Sequence, residues 1–200
     1  MPKVKSWILV LMCAAGLLLV ACGQPSNRLR VTMDEAGFYP VDVSRYIIVK
    51  GTQGEVDYYH TYDDATADLL VNYTGSISEL PTFPADDAVQ LTSYRVTWHG
   101  VAISPTSGGL DNVLQADPTG KSMTKLSIVV VPAGIKETCA VLVPLQGDPS
   151  VDDPTTFVGQ LVAKGQVEID GTVLRTGEEI STTVQFTAAF ADYEEPNKDH

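Results

Sequence analysis

The closing run of the chain alternates. Ile180, Thr182, Val184, Phe186, Ala188 and Phe190 occupy every second position, with small or polar residues between them. Successive side chains of a strand point to opposite faces, so this run buries one face and wets the other. A helix repeats near 3.6 residues and cannot satisfy the pattern. The signature recurs upstream. Val41, Val43, Ile47 and Val49 share a face, broken only by Arg45. Leu69, Val71 and Tyr73 alternate next, and later Leu126, Ile128 and Val130, then Cys139, Val141 and Val143, then Val167, Ile169 and Val173. In 88–99 the phase switches: Val89 and Leu91 lie on one face, Tyr94, Val96 and Trp98 on the other. A β-bulge near Thr92-Ser93 inserts one residue and produces such a switch.

These runs predict seven main strands, at 41–51, 67–76, 88–99, 124–131, 138–145, 156–169 and 180–190, with a short extra strand at 29–33. Composition agrees. From Cys22 onward, Val, Ile and Thr supply 48 of 179 residues, whereas Leu and Met supply 14. β-branched residues suit a pleated, half-buried surface. Frequent Gly and Pro leave little room for long helices. A helical turn could occupy Glu55 to Leu70, which lacks both, or Leu110 to Ala116. Seven antiparallel strands with turn signals between them predict an all-β, two-sheet sandwich.

The start of the chain is different. Lys3 and Lys5 precede an uncharged, almost wholly apolar run of 14 residues, Trp7 to Val20. A spanning helix needs about 20 apolar residues. The run fits the helical core of a secretion signal instead. The following Leu19-Val20-Ala21-Cys22 resembles the lipobox of bacterial lipoproteins. That resemblance implies cleavage before Cys22, a diacylglycerol thioether on it, and usually a third acyl chain on its amino group. Two or three chains anchor a protein where one holds only marginally. Gly23 and Gln24 follow; the absence of Asp after the cysteine resembles outer-membrane sorting in a host with two membranes, and otherwise implies the outer face of the cell membrane. The expected organisation is a signal peptide at 1–21, a tether at 22–28, a β-sandwich at 29–193 and a polar tail at 194–200. The tether spans at most roughly 25 Å when extended.

Charge narrows the partners. From Cys22 onward, 25 acidic residues stand against 11 basic ones, a net charge of −14. That surface repels phosphate backbones and anionic head groups, which argues against nucleic acid and leaves membrane attachment to the acyl chains. With Cys13 in the signal and Cys22 under lipid, Cys139 stands alone, and a lone apolar-flanked thiol behaves as a small hydrophobe.

Ser93-Tyr-Arg-Val-Thr-Trp98 is similar to the central strand of immunoglobulin-like and fibronectin-type-III-like domains. Thr183 to Tyr193 resembles the final strand of such a domain. Together with the lipobox, the chain resembles exported lipoproteins that carry one immunoglobulin-like domain. The resemblance implies an antiparallel sandwich of seven to eight strands with Trp98 in its core. The paired cysteines of antibody domains are missing.

In an up-and-down order the connections 52–66, 100–123 and 146–155 share one end. The first two are long enough to suggest a role. They carry the candidate binding residues Tyr58, Tyr59, His60, Tyr62, Asp63 and Asp64, and Asp111 and Asp117. Exposed tyrosines beside carboxylates suit an envelope protein or a glycan. An oxygen-rich alternative is calcium held by Asp57, Asp63, Asp64, Asp152 and Asp153, although no EF-hand-type loop is present and Asp also favours turns for backbone reasons. Catalytic signatures are missing too: no metal-binding His pair, Cys-x-x-Cys, Gly-x-Ser-x-Gly or phosphate loop occurs. His60 beside Asp63 and Asp64 has no nucleophile to serve. The expected role is a non-catalytic binding or assembly module of the cell envelope, without cofactor. The rivals are an enzyme with its site in loops 52–66 and 100–123, and a purely structural envelope lipoprotein.

Overall fold

The computed structural model describes residues 28–34, 38–50, 56–75, 87–146 and 159–192, with backbone alone at 38, 45–50 and 56–59. The expected signal, Cys22, the tether up to residue 27, Asp152, Asp153 and the tail lie outside these residues. The strands in chain order are β1 (Leu29–Met33), β2 (Phe38–Asp42), β3 (Arg45–Lys50), β4 (Val56–Thr61), β5 (Ala65–Tyr73), β6 (Ala88–His99), β7 (Thr106–Gly109), β8 (Val113–Gln115), β9 (Thr124–Val131), β10 (Leu161–Val173) and β11 (Glu179–Ala191). One short helix, α1 (Ala133–Thr138), and a 3-10 turn (Val143–Leu145) follow β9.

Two sheets pack face to face. One has the order β1-β5-β9; the other runs β2-β11-β10-β6-β7, with β8 also paired to β6. The alternating residues meet between them. Leu69, Val71, Tyr73, Leu126, Ile128 and Val130 from the smaller sheet are buried, as are Val89, Leu91, Val96, Val167, Ile169 and Phe190 from the larger. Trp98 is buried among them. Its ring meets Phe186 edge-on at 5.3 Å and Phe190 at 5.1 Å. Such pairs add about 0.5–1.5 kcal/mol beyond the area they bury. The phase switch in β6 is a bulge: Ser93 pairs Asp170 and Leu91 pairs Gly171, so Thr92 is the extra residue.

The structure corrects several expectations. The 41–51 run is two strands in different sheets. Val43 and Ser44 separate them, and both are buried. The Val43 N–H donates to the Ala191 carbonyl at 3.0 Å, extending the β2–β11 pairing. That pairing is parallel, so the sandwich is not wholly antiparallel. Residues 56–70 hold no helical turn; they contribute β4 and most of β5. β4 pairs β3 as a two-stranded hairpin. Residues 113–115 are a strand as well, not a turn of helix. The 156–169 strand begins at Leu161 and continues to Val173, and 156–158 lie outside the described residues.

The 138–145 strand does not form. Helical turns replace it, and they bury Leu142 while leaving Val143 44% exposed, the reverse of the phase read from the alternation. Pro132 at the N-cap of α1 and Pro144 inside the 3-10 turn explain this. Each lacks the N–H that a central strand must donate, and each fixes φ near a helical value.

Candidate functional site

The two ends of the sandwich are set by β11. Arg28, just before β1, ion-pairs with Glu178, just before β11. Val43, just after β2, bonds to Ala191 at the other end of β11. Thirteen residues of strand separate these points, about 40 Å at roughly 3.3 Å per residue. The chain therefore enters at one end, and the β3–β4 hairpin leaves at the other.

At that far end a cleft of about 200 Å³ lies where the last residues of β2, the foot of the hairpin and α1 meet. Tyr39, Asp42, Ser44, Thr61, Asp63 and Asp64 line it. Lys136 of α1 completes the wall. Asp64 also holds the helix in place: its carboxylate accepts the Ala133 N–H at 2.8 Å. Pro132, at the cap position, makes no side-chain cap bond of its own, so a residue from outside the helix serves.

Lys136 is only 4% exposed, and it is not without a partner. Buried ammonium groups are retained only when paired. A short relay fixes its backbone. The Tyr62 hydroxyl donates to Gln146 Oε1 at 3.1 Å, and Gln146 Nε2 donates to the Lys136 carbonyl at 2.7 Å. Burial, and then the nearby Glu137 carboxylate, push the Tyr62 phenol above its usual range. Ser44 is 3% exposed, and its hydroxyl has no hydrogen-bond partner among the described residues. An unsatisfied buried hydroxyl costs about 1–3 kcal/mol.

The structure brings together some of the residues read from sequence and separates others. Asp63 and Asp64 stand in the cleft wall. His60 stacks with Tyr62 beside it, ring centroids 6.2 Å apart, but is not among the lining residues. Asp57, Tyr58 and Tyr59 lie on β4, opposite Val49, Ile48 and Ile47.

Asp111 and Asp117 are elsewhere. Segment 100–123 does not fold as one loop at the hairpin's end. Its strands β7 and β8 lay it along β6, from Val96 back to Ala88. Asp111 accepts the Gln90 amide at 2.7 Å. Asp117 lies at the entry end, where its N–H donates to the Tyr73 carbonyl at 2.8 Å. Its carboxylate accepts the Thr119 N–H and hydroxyl and the Ser122 N–H. Those bonds, the Thr119 hydroxyl first, hold it well below the usual carboxylate range. They close a turn in which Gly120 takes φ +65°, a conformation that favours glycine. Asp117 thus has a structural task.

Asp42, Ser44 and Lys136 were not legible as site residues. The first two sit inside an apparently continuous strand, and Lys136 lies in the connection between the expected strands 124–131 and 138–145. The two prolines bracketing 132–144 are the signal that could have redirected that reading. No three His, Cys, Asp or Glu side chains converge on a metal position among the described residues. No helix among the described residues is long and apolar enough to cross a membrane. Comparison of the chain with family models, with curated proteins and with solved structures returns no match.

Proposed function

We propose that this chain is a lipid-anchored cell-envelope protein whose single immunoglobulin-like domain is a non-catalytic module for binding or assembly with another envelope component. Strand order supports the immunoglobulin-like reading. In such domains the first, second and fifth strands share one sheet, and the third, sixth and seventh share the other. Here β1-β5-β9 and β11-β10-β6 reproduce that division. β1 and β2 divide a leading strand between the sheets, and β3–β4 is an insertion after it. The anchor rests on the sequence alone, on the signal-like start and Leu19-Val20-Ala21-Cys22. In a host with two membranes the protein is sorted to the outer one.

The observation that carries the reading is the separation of the two ends. A chain tethered ahead of Leu29 presents its cleft and hairpin about 40 Å further along the strands, by the rise per residue. The binding surface is then held away from the bilayer, and the acidic body faces its partners without help from lipid charge.

Two measurements test this. Intact mass of the mature amino-terminal peptide should show a lipidated Cys22, and Cys22→Ala should release the protein from the membrane fraction. An unmodified thiol there refutes the anchor. A photo-crosslinking residue at Thr66, on the cleft, should capture an envelope component in intact cells, whereas one at Lys121, at the entry end, should not. Capture at Lys121 alone, or at neither position, refutes the binding role.

A further inference from the structure

We infer that the entry end of the sandwich is a bilayer-docking surface, on which two turns rest against phospholipid head groups and hold the body upright; this rests on the lipid-anchor reading and deepens it. The first turn, 116–123, joins β8 to β9. Asp117 closes it, and the Asn72 amide ties it to the end of β5 by donating to the Ser122 carbonyl at 2.8 Å. It presents Met123, 45% exposed, two residues after the exposed Lys121. The second, 174–178, joins β10 to β11. The Val173 N–H donates to the Glu178 carbonyl at 2.8 Å, and the Leu174 N–H to the Ala88 carbonyl at 2.9 Å. It presents Leu174, 52% exposed, next to the exposed Arg175. Each turn thus sets one large apolar side chain beside one cation, at the end where the described chain begins.

That pairing suits a membrane surface. Apolar side chains enter the boundary between head groups and acyl chains, while the stems of Lys and Arg lie along it and their charged heads stay at the phosphates. Glu178 is paired with Arg28, and Asp117 is engaged by Thr119 and Ser122. Lys121 and Arg175 are then the charges of these turns that no partner holds among the described residues. The chain as a whole carries −12, which opposes an anionic surface. At physiological salt, however, the Debye length is about 8 Å, so the bilayer feels the turns and little of a body extending about 40 Å beyond them. The expected tether, at most roughly 25 Å long, keeps the two surfaces within reach.

The test uses the mature chain from Cys22 to His200 with Cys139→Ala, coupled through the Cys22 thiol to a maleimide-bearing lipid. The nanodiscs contain phosphatidylethanolamine and phosphatidylglycerol, and a gadolinium chelate on some head groups broadens the amide signals of whatever lies against them. Broadening should peak at 119–123 and 174–177 and spare α1 and Thr66. Met123→Ser with Leu174→Ser should weaken the contact at least about tenfold, as loss of two partly buried apolar side chains does. Lys121→Gln with Arg175→Gln should weaken it at least about fivefold in these discs and less than about twofold in phosphatidylcholine alone, because the attraction of a cation needs anionic lipid. Both double variants should keep the melting temperature of the parent, since all four side chains are exposed. Val162→Ser, 49% exposed at the far end, should change nothing.

Broadening spread evenly over the domain, contact indifferent to either double variant, or equal loss in Val162→Ser overturns the proposal. So does capture of a protein, in place of lipid, by a photo-crosslinking residue at Met123 in intact cells. Contact in the discs together with an unmodified Cys22 thiol in cells leaves the surface standing and fells the anchor. A lipidated Cys22 without contact in the discs does the reverse.

Discussion

Gly165 pairs with Trp98 on one side and Phe186 on the other, at the centre of the larger sheet. A Cβ there would overlap the Phe186 ring, so the ring lies directly over the glycine backbone. Gly165→Ala should destabilise the fold by about 1–3 kcal/mol, as overpacked cores do, read as a fall in denaturant midpoint. Phe186→Leu should recover part of that loss, because the two residues are in contact and their effects cannot add.

Two other residues bracket the pH range. The folded state raises the Tyr62 phenol, so stability is intact below the unfolded value near 10 and falls as pH rises through the folded one. Tyr62→Phe should flatten that alkaline limb. Asp117 is the opposite case. Its folded carboxylate is depressed, so its contribution is present above the usual carboxylate pKa and fades as pH drops below it. Asp117→Asn should flatten the acid limb of a melting-temperature profile.

At the scale of elements, legibility followed burial. β6 and β9 have the bounds that alternation predicts, 88–99 and 124–131, and the Thr92 bulge stands where the phase switches. These strands bury one face completely, so their pattern is enforced by exclusion of water. The hairpin and the α1 segment depart from the alternation for a complementary reason. β3 and β4 pair only with each other among the described strands. The segment after β9 is ruled by two prolines and a helix cap from Asp64, which is remote in sequence. A cap from another element leaves no local signature. The cleft was half visible for the same cause: Asp63 and Asp64 follow an aromatic run, whereas Asp42 and Lys136 reach the site only through tertiary folding. An isolated two-stranded ribbon is marginal in water. Hydrogen exchange should therefore find the amides of β3 and β4 fastest among the paired strands, and those of β6, β10 and β11 slowest. Uniform protection across all of them would contradict the sheet assignment.

For the whole molecule, the order of the first two strands matters most. β1 belongs to the smaller sheet and β2 to the larger, and only residues 34–37 separate them. The entering chain therefore stitches both layers before the hairpin leaves. A pull on the amino end, with the far cleft held by a partner, runs lengthwise along β1 and β2. Their ladder bonds, β1 to β5 and β2 to β11, lie across that direction. They are strained together in shear rather than unzipped one at a time. In a chain anchored and partnered as proposed, a cell that grows, swells or is dragged through a medium would load these two ladders first.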